Sequence, residues 1–420
     1  MTKISCLVCV LILSSSPGFS QAKRLWVLRA NGEMAEYDPA NFASKQSVKL
    51  PPEAVQSPQN IAVNHLGQIL FVPAVSLPLM ETDYESPHKL WLWNGQSAST
   101  MDLGVKHETS TTGSNQAVNE TAPTASLSSD GTHLFWFANE QRRLQREEID
   151  LSETTTWQAW QTDLTGANRE DVASVKFPDC RCATGACEES CPAGLAWVPE
   201  DGVRNFFLMT QLVSGKDEVS YKATTLYQSA GGKWADHPLP DPLRRLLDSS
   251  PDGNTLVEAI PDTGCCGWSN QSDDQTLVIG KGKPQTIFDE LAAYKNSDYD
   301  VSFYTSNARL SPDLTSVAMT IISTAQPNKP IQLSEQGQAN PEESKLIRKS
   351  LAELPAVEVK TLEDPPRRAA FLPHATLIGW ISEKELLIVE DHLLVVYHVG
   401  TGARRKSAIR VDDPARVFLR

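Results

Sequence analysis

Apolar and polar residues alternate along this chain in short runs, and the runs come in pairs joined by a tight turn. Six such pairs read "IAVNHLGQILFVP", "ASLSSDGTHLFWF", "LAWVPEDGVRNFFLM", "LLDSSPDGNTLVEA", "ARLSPDLTSVAMTI" and "IGWISEKELLIVE". Alternation such as Ile61 and Val63, Leu195 and Trp197, or Ile378 and Trp380 predicts half-buried strands. Runs such as "LFWF" and "LLIV" are apolar on both faces, as a strand covered by neighbouring sheets requires. In the fullest turn, Pro251 presets φ, Asp252 hydrogen-bonds the backbone ahead and Gly253 takes the positive-φ position.

Aligned on that glycine, the pairs fall at Gly67, Gly131, Gly202, Gly253, Leu314 and Glu385. The spacing of about 50 to 70 residues marks a repeat, longer than the roughly 40 to 50 of a lean propeller blade. Most pairs are followed by two further strand-like pieces, such as "KLWLWNG" and "ASTMDLG" with Asn94-Gly95 as the turn signal. Four antiparallel strands repeated around an axis make an all-β fold, a single β-propeller.

The "SPDG…L" hairpins resemble those of TolB-like and WD-type propellers of bacterial exported proteins. The resemblance covers almost the whole chain after the first 22 residues and implies a fold, not an activity. It departs from the pattern where Leu314 and Glu385 replace the glycine. The segment "RLWVLRANGEMAEYDPANFASKQSVKL" reads as three strands with no inner strand before them, and "ARVFLR", Ala415 to Arg420, as one strand with none after it. Together they predict a seventh, shared blade that closes the ring and removes exposed edges. Seven blades are favoured, with a six-bladed ring and a frayed tail as the alternative.

In such blades the turns after the first and third strands lie on one face, and the other connections lie on the opposite face. The insertions "SLPLMETDYESPHK", "NEQRRLQREEIDLSETTT", the cysteine cluster "CRCATGACEESC", "PDTGCCGWSNQSDD" and the stretch from Gln326 to Leu354 all belong to the second face. Within the last, "PEESKLIRKSLAEL" has the spacing of a short surface helix. Elaborated loops on a rigid scaffold commonly carry function, so Trp268, Asp273 and Asp274 are binding-face candidates.

Residues 1–22 change the picture by compartment. Lys3, the apolar run Ile4 to Ile12 and the small residues before Ala22 read as an export signal, leaving 23–420 as the propeller. No later segment has the roughly 18 consecutive apolar residues of a membrane span. The net charge of −14 and the lack of a basic stripe argue against nucleic acid. Of eight cysteines, Cys6 and Cys9 lie in the signal. Cys180, Cys182, Cys187, Cys191, Cys265 and Cys266 remain, an even number that in an exported chain points to disulfides. The pairing stays open. Stapling of the loops is preferred over a vicinal Cys265–Cys266 bridge, since strained, exposed bridges are the labile kind.

Other chemistry is less well supported. Asn60, Glu120, Asn307 and His374 stand at inner-strand entrances and are candidates to line the channel. Propellers resembling gluconolactonases hold calcium there, but a hard cation usually takes more than one carboxylate, and only Glu120 supplies one. No Gly-x-Ser-x-Gly occurs to signal a hydrolase half. Trp91, Trp93, Trp157 and Trp160 fit blade packing better than a stacking platform. The reading that follows is an exported, non-catalytic propeller that binds a protein or peptide partner on its loop-rich face. The alternatives are a lactonase- or esterase-type enzyme with a central calcium and a redox module using Cys265 and Cys266.

Overall fold

The computed structural model describes residues 23–420 apart from segments in the connections, of which the longest are 74–88, 177–195, 198–205 and 261–274. The signal segment, the six cysteines, Trp268, Asp273 and Asp274 lie outside the described residues. The described strands form seven antiparallel sheets, six of four strands and one of five. The fold is a β-propeller.

Blade 1 combines Leu25–Leu28, Glu33–Tyr37 and Ser44–Lys49 with an inner strand from the other end of the chain, Val417–Leu419. Leu25 pairs with Leu419 and Val27 with Val417, which is the shared blade expected from the chain ends. Blades 2, 3, 4, 5, 6 and 7 begin with the inner strands Ile61–Val63, Asn115–Leu127, Ala196–Trp197, Arg245–Ser249, Phe303–Leu310 and Ala375–Trp380. Each pairs with the next strand as one of the six predicted hairpins.

The second strands explain their two-sided apolarity. In Leu25–Leu28, Leu25 and Val27 pack with Leu387 and Val389 of blade 7, while Trp26 and Leu28 pack with Ile61, Ile69 and Phe71 of blade 2. The period-2 alternation of a strand sends successive side chains to opposite faces. Ile69 and Phe71 then face blade 1, and Leu70 faces Leu134 and Trp136 of blade 3. All of Leu134 to Phe137 and Leu386 to Val389 are buried. Trp91 is buried in the same packing, and Trp160 stacks on Trp136 with ring centroids 6.3 Å apart. These tryptophans are blade core.

The recurring turn is a side-chain device. Ser128, Ser250 and Ser311 each accept, through Oγ, the backbone N–H five residues on, at 3.0, 2.9 and 2.9 Å. Ser128 and Ser311 also donate to Asp130 and Asp313, both at 2.6 Å, and those carboxylates accept from Thr132 and Thr315. Gly67, Gly131 and Gly253 have positive φ, and Leu314 takes the same conformation at φ 58. The substitution at Leu314 therefore leaves the turn shape intact. Glu385 behaves differently: it opens the strand Glu385–Glu390, and the tighter turn 381–384 precedes it.

Burial raises the pKa of Asp130 and Asp313, but the hydrogen bonds from Ser128 and Thr132, and from Ser311 and Thr315, outweigh it. Both sit below the ordinary 3.8. A depressed folded-state pKa adds stability above the unfolded value that is lost as pH falls through the folded one. Asp313→Asn is therefore expected to destabilise the ring at pH 7 and to converge on the parent as pH drops below about 3.8. Urea midpoints across that range check it; a constant difference would exclude the linkage.

Neighbouring turns also interlock. Gln68 donates to the Gly131 carbonyl at 2.9 Å. A Cβ on Gly131 would stand 2.5 Å from Leu66 Cδ1 and 2.6 Å from Gln68 Oε1, at a φ of +69. Gly131→Ala should cost about 1–3 kcal/mol from the left-handed backbone and the crowding together. Equilibrium unfolding reads this directly, with Gly104→Ala, at φ +63 with nothing within 4 Å of the added Cβ, as the comparison for φ alone.

Candidate functional site

Strand order assigns each connection to a face. On the plain face lie 64–68, 128–132, 250–255, 311–315 and 381–384, together with the third-to-fourth-strand turns such as 94–97 and 399–403. On the opposite face the described connections 290–302 and 324–355 run, and there too end the strands that flank 74–88, 177–195 and 261–274, segments outside the described residues. Blades 7 and 1 stay plain there too, with 391–392 and 29–32. The elaboration is a sector covering blades 2 to 6.

Two features of that sector are well formed. In blade 6 the helix Pro341–Glu353 starts with Pro341 at its first turn and Asn340 as cap, accepting from Glu342 N at 3.2 Å and Glu343 N at 3.3 Å. Its Ile347 and Leu351 are buried against Tyr299, Val301 and Phe303, so the predicted surface helix is docked on the ring. The short helix Glu290–Tyr294 lies beside it, with Tyr294 stacked on Phe303 at 3.9 Å. Burial, then the Glu358 carboxylate, hold the Tyr294 phenol well above its ordinary pKa.

Blade 3 corrects one sequence expectation. "NEQRRLQREEIDLSETTT" is not a loop but the meeting of two long strands, His133–Arg146 and Ile149–Asp163, of 14 and 15 residues. At about 3.3 Å per residue they run some 45 Å, against about 20 Å for the six-residue strands of blade 7. The excess forms an arm, widened on the inner side by Lys106–Thr112, the fifth strand of this sheet. The polar alternation in that stretch was the signal for it. Phe206–Ser214 and Val219–Ala230 of blade 4 make a similar long pair.

The inner strands enclose an axial cavity of about 620 Å³ lined by Gln59, Asn64, Ser126, Ser306, Asn307, Arg309, Thr376 and Arg420 together with apolar residues such as Leu127 and Leu377. Of the channel candidates with described side chains, Asn60, Asn307 and His374, only Asn307 lines it, and its Nδ2 donates to the Leu377 carbonyl of the next blade at 3.1 Å. Asn60 is half-buried and precedes the strand Ile61–Val63; His374 is exposed at φ 56. Glu120 pairs with Gln141 and His107 in the blade 3 arm, six residues and about 20 Å along the strand from the lining residue Ser126. Asn60 and His374 do not share the lining with Asn307.

Sequence reasoning missed the two arginines. Arg309 donates through Nη1 to the Leu247 carbonyl of blade 5 at 2.8 Å, and Arg420 through Nε to the Val63 carbonyl of blade 2 at 2.9 Å. Their position in or next to an inner strand was visible, but which face of the strand they occupy was not. Among the described residues the lining includes no Asp or Glu, and these residues do not fit a calcium ion, which takes six to eight oxygen ligands, several of them carboxylates. Among the described residues no three His, Cys, Asp or Glu side chains cluster, and no helix is long and apolar enough to cross a membrane.

No protein-family model matches the chain, and comparison with curated proteins finds no match. Among solved structures the chain is similar to apo AztD from Citrobacter koseri, at 10% identity over 95% of this chain and 98% of that one, TM-score 0.40. It is also similar to TolB from Acinetobacter baumannii, at 11% identity over 95% and 82%, TM-score 0.29. A third is dipeptidyl peptidase 4 from Porphyromonas gingivalis, at 8% identity and TM-score 0.42; 93% of this chain is covered, but only 58% of that one. The architecture rests on the sheet order and not on these likenesses.

Proposed function

We propose that the protein is an exported binding module, without chemistry of its own, that takes a protein or peptide partner on the loop-rich sector of blades 2 to 6. The observation that carries this reading is the asymmetry of the connections. Long insertions fall on one face and in one sector, while the plain-face turns stay short and interlocked. Length without a folding role is tolerated on loops and is where recognition residues accumulate. Disulfides among Cys180, Cys182, Cys187, Cys191, Cys265 and Cys266 would hold two of these loops in shape and so lower the ordering cost of binding.

A photo-crosslinking residue placed at exposed Lys349, on the docked helix, should capture a discrete partner in the native host. The same residue at Lys384, in the plain-face turn of blade 7, should capture none. Capture at Lys384 alone would reverse the assignment of faces. Separately, alkylation of the non-reduced protein should leave all six cysteines unmodified, and the double variant C265S/C266S should keep the parent's far-ultraviolet spectrum while binding the partner more weakly. Six freely reacting thiols would remove the stapling argument.

A further inference from the structure

We infer that the partner taken on the loop-rich sector is an acidic peptide segment carrying apolar side chains, and that it docks across the helix Pro341–Glu353. The inference rests on the functional reading above and names the chemistry of its ligand. Three observations lead to it.

The first is unpaired charge. Lys345, Arg348 and Lys349 on this helix and Lys329 in the loop before it are all exposed. Among the described residues no hydrogen bond or ion pair engages their side chains. Cations elsewhere on the ring are engaged: Arg404 and Lys406 by Glu390, Arg410 by Asp412 and Arg368 by Glu358. Glu342 and Glu343 occupy the first turn of the helix, where its dipole favours them, and Glu353 is half-buried at its end. The middle turns are left basic, in a chain whose formal net charge is −14. The second is exposed apolar surface. Among the described residues three large apolar side chains stand out to solvent, Leu66, Leu333 and Leu346, and the last two belong to this one insertion, at 45 and 37% exposure. At about 100° per residue, Leu346 flanks one side of the row made by Lys345 and Lys349, and Arg348 flanks the other. The third is rigidity. The Tyr299 hydroxyl donates to the Asn340 carbonyl at 2.8 Å and accepts from its N–H at 3.1 Å, while Ile347 and Leu351 are buried beneath the helix. Tyr299 also bridges to Leu333 through its backbone, which sets that leucine beside the helix. A preformed face loses little ordering entropy on association, and cations interspersed with leucine complement carboxylates spaced among apolar residues.

Panning a random peptide library displayed on phage against the purified chain tests this. The enriched sequences should be net acidic with large apolar residues, and their synthetic forms should bind saturably and more weakly as salt rises. Lys345→Gln/Arg348→Gln/Lys349→Gln removes three charges but keeps good helix formers, and it should bind those peptides about tenfold more weakly. Leu346→Ala should weaken them too. Lys45→Gln/Lys384→Gln/Arg410→Gln takes the same charge from exposed sites on blades 1 and 7 and should bind as the parent does. Far-ultraviolet circular dichroism checks that each variant is folded. Neutral or basic enriched sequences, no enrichment, or equal binding by the helix variant would overturn the inference. So would a dimer of the parent on gel filtration that the helix variant loses, since a second copy would then be the occupant. The assignment of faces fails separately, on the crosslinks at Lys349 and Lys384.

Discussion

Deleting Ala415 to Arg420 is expected to abolish cooperative unfolding of the whole ring. The deletion removes the inner strand of blade 1, whose Val417, Phe418 and Leu419 are 8, 5 and 7% exposed. At about 1.5–3 kcal/mol for each buried side chain, that alone is roughly 5–9 kcal/mol. It also removes the Arg416 and Arg420 bonds to the carbonyls of Val55 and Val63, and it bares the edge of Leu25–Leu28. A domain is usually stable by only about 5–15 kcal/mol, so the loss is of the order of the whole. Thermal melts followed by circular dichroism should show a broad, early transition or insoluble protein. A truncated chain melting within about 2 °C of the parent, less than a ~1 kcal/mol change normally gives, would show that blade 1 stands without its inner strand.

That closure was legible because strand count is a property of local pattern. "RLWVLRANG…" offers three alternating runs and "ARVFLR" a single one, and an unmatched three and one complete each other to a four-stranded blade. The same logic recovered all six hairpins, and in three of them the turn is closed by a serine bonded within five positions of itself. Legibility failed where meaning depends on what lies across the ring. Asn60, Asn307 and His374 hold similar places in the sequence near inner strands, yet a shift of one residue moves a side chain from the axis to the wall, and only Asn307 faces inward. The "NEQRRLQREEIDLSETTT" segment failed for another reason. Its charges read as a solvated loop, whereas the backbone keeps its strand pairing through the whole segment.

The channel shows the same limit from the other side. Its polar lining was expected from any hydrated axis, but the two arginines in it were not. Arg309 and Arg420 are 111 positions apart in the sequence. They meet the same cavity because the last strand of the chain is placed as the first strand of blade 1.

Replacing Trp26 tests whether the ring is held blade by blade. Its side chain is fully buried between blades 1 and 2, against Met34, Ile61, Ile69, Trp91 and Phe418. Trp26→Ala should cost about 3–5 kcal/mol, the usual range for emptying a large aromatic site. Phe418→Ala opens the same cluster, so the two cavities merge and the pair should depart from additivity by about 0.5–3 kcal/mol. Ile388→Ala is a different matter. Ile388 is equally buried but packs with Val357, Val359 and Leu377 at the interface of blades 6 and 7. Trp26→Ala and Ile388→Ala should therefore add to within about 0.5 kcal/mol. Urea unfolding of the three single and two double variants separates the cases. Coupling between Trp26 and Ile388 as strong as that between Trp26 and Phe418 would mean that strain travels around the closed ring, and the interfaces could not then be treated as independent units.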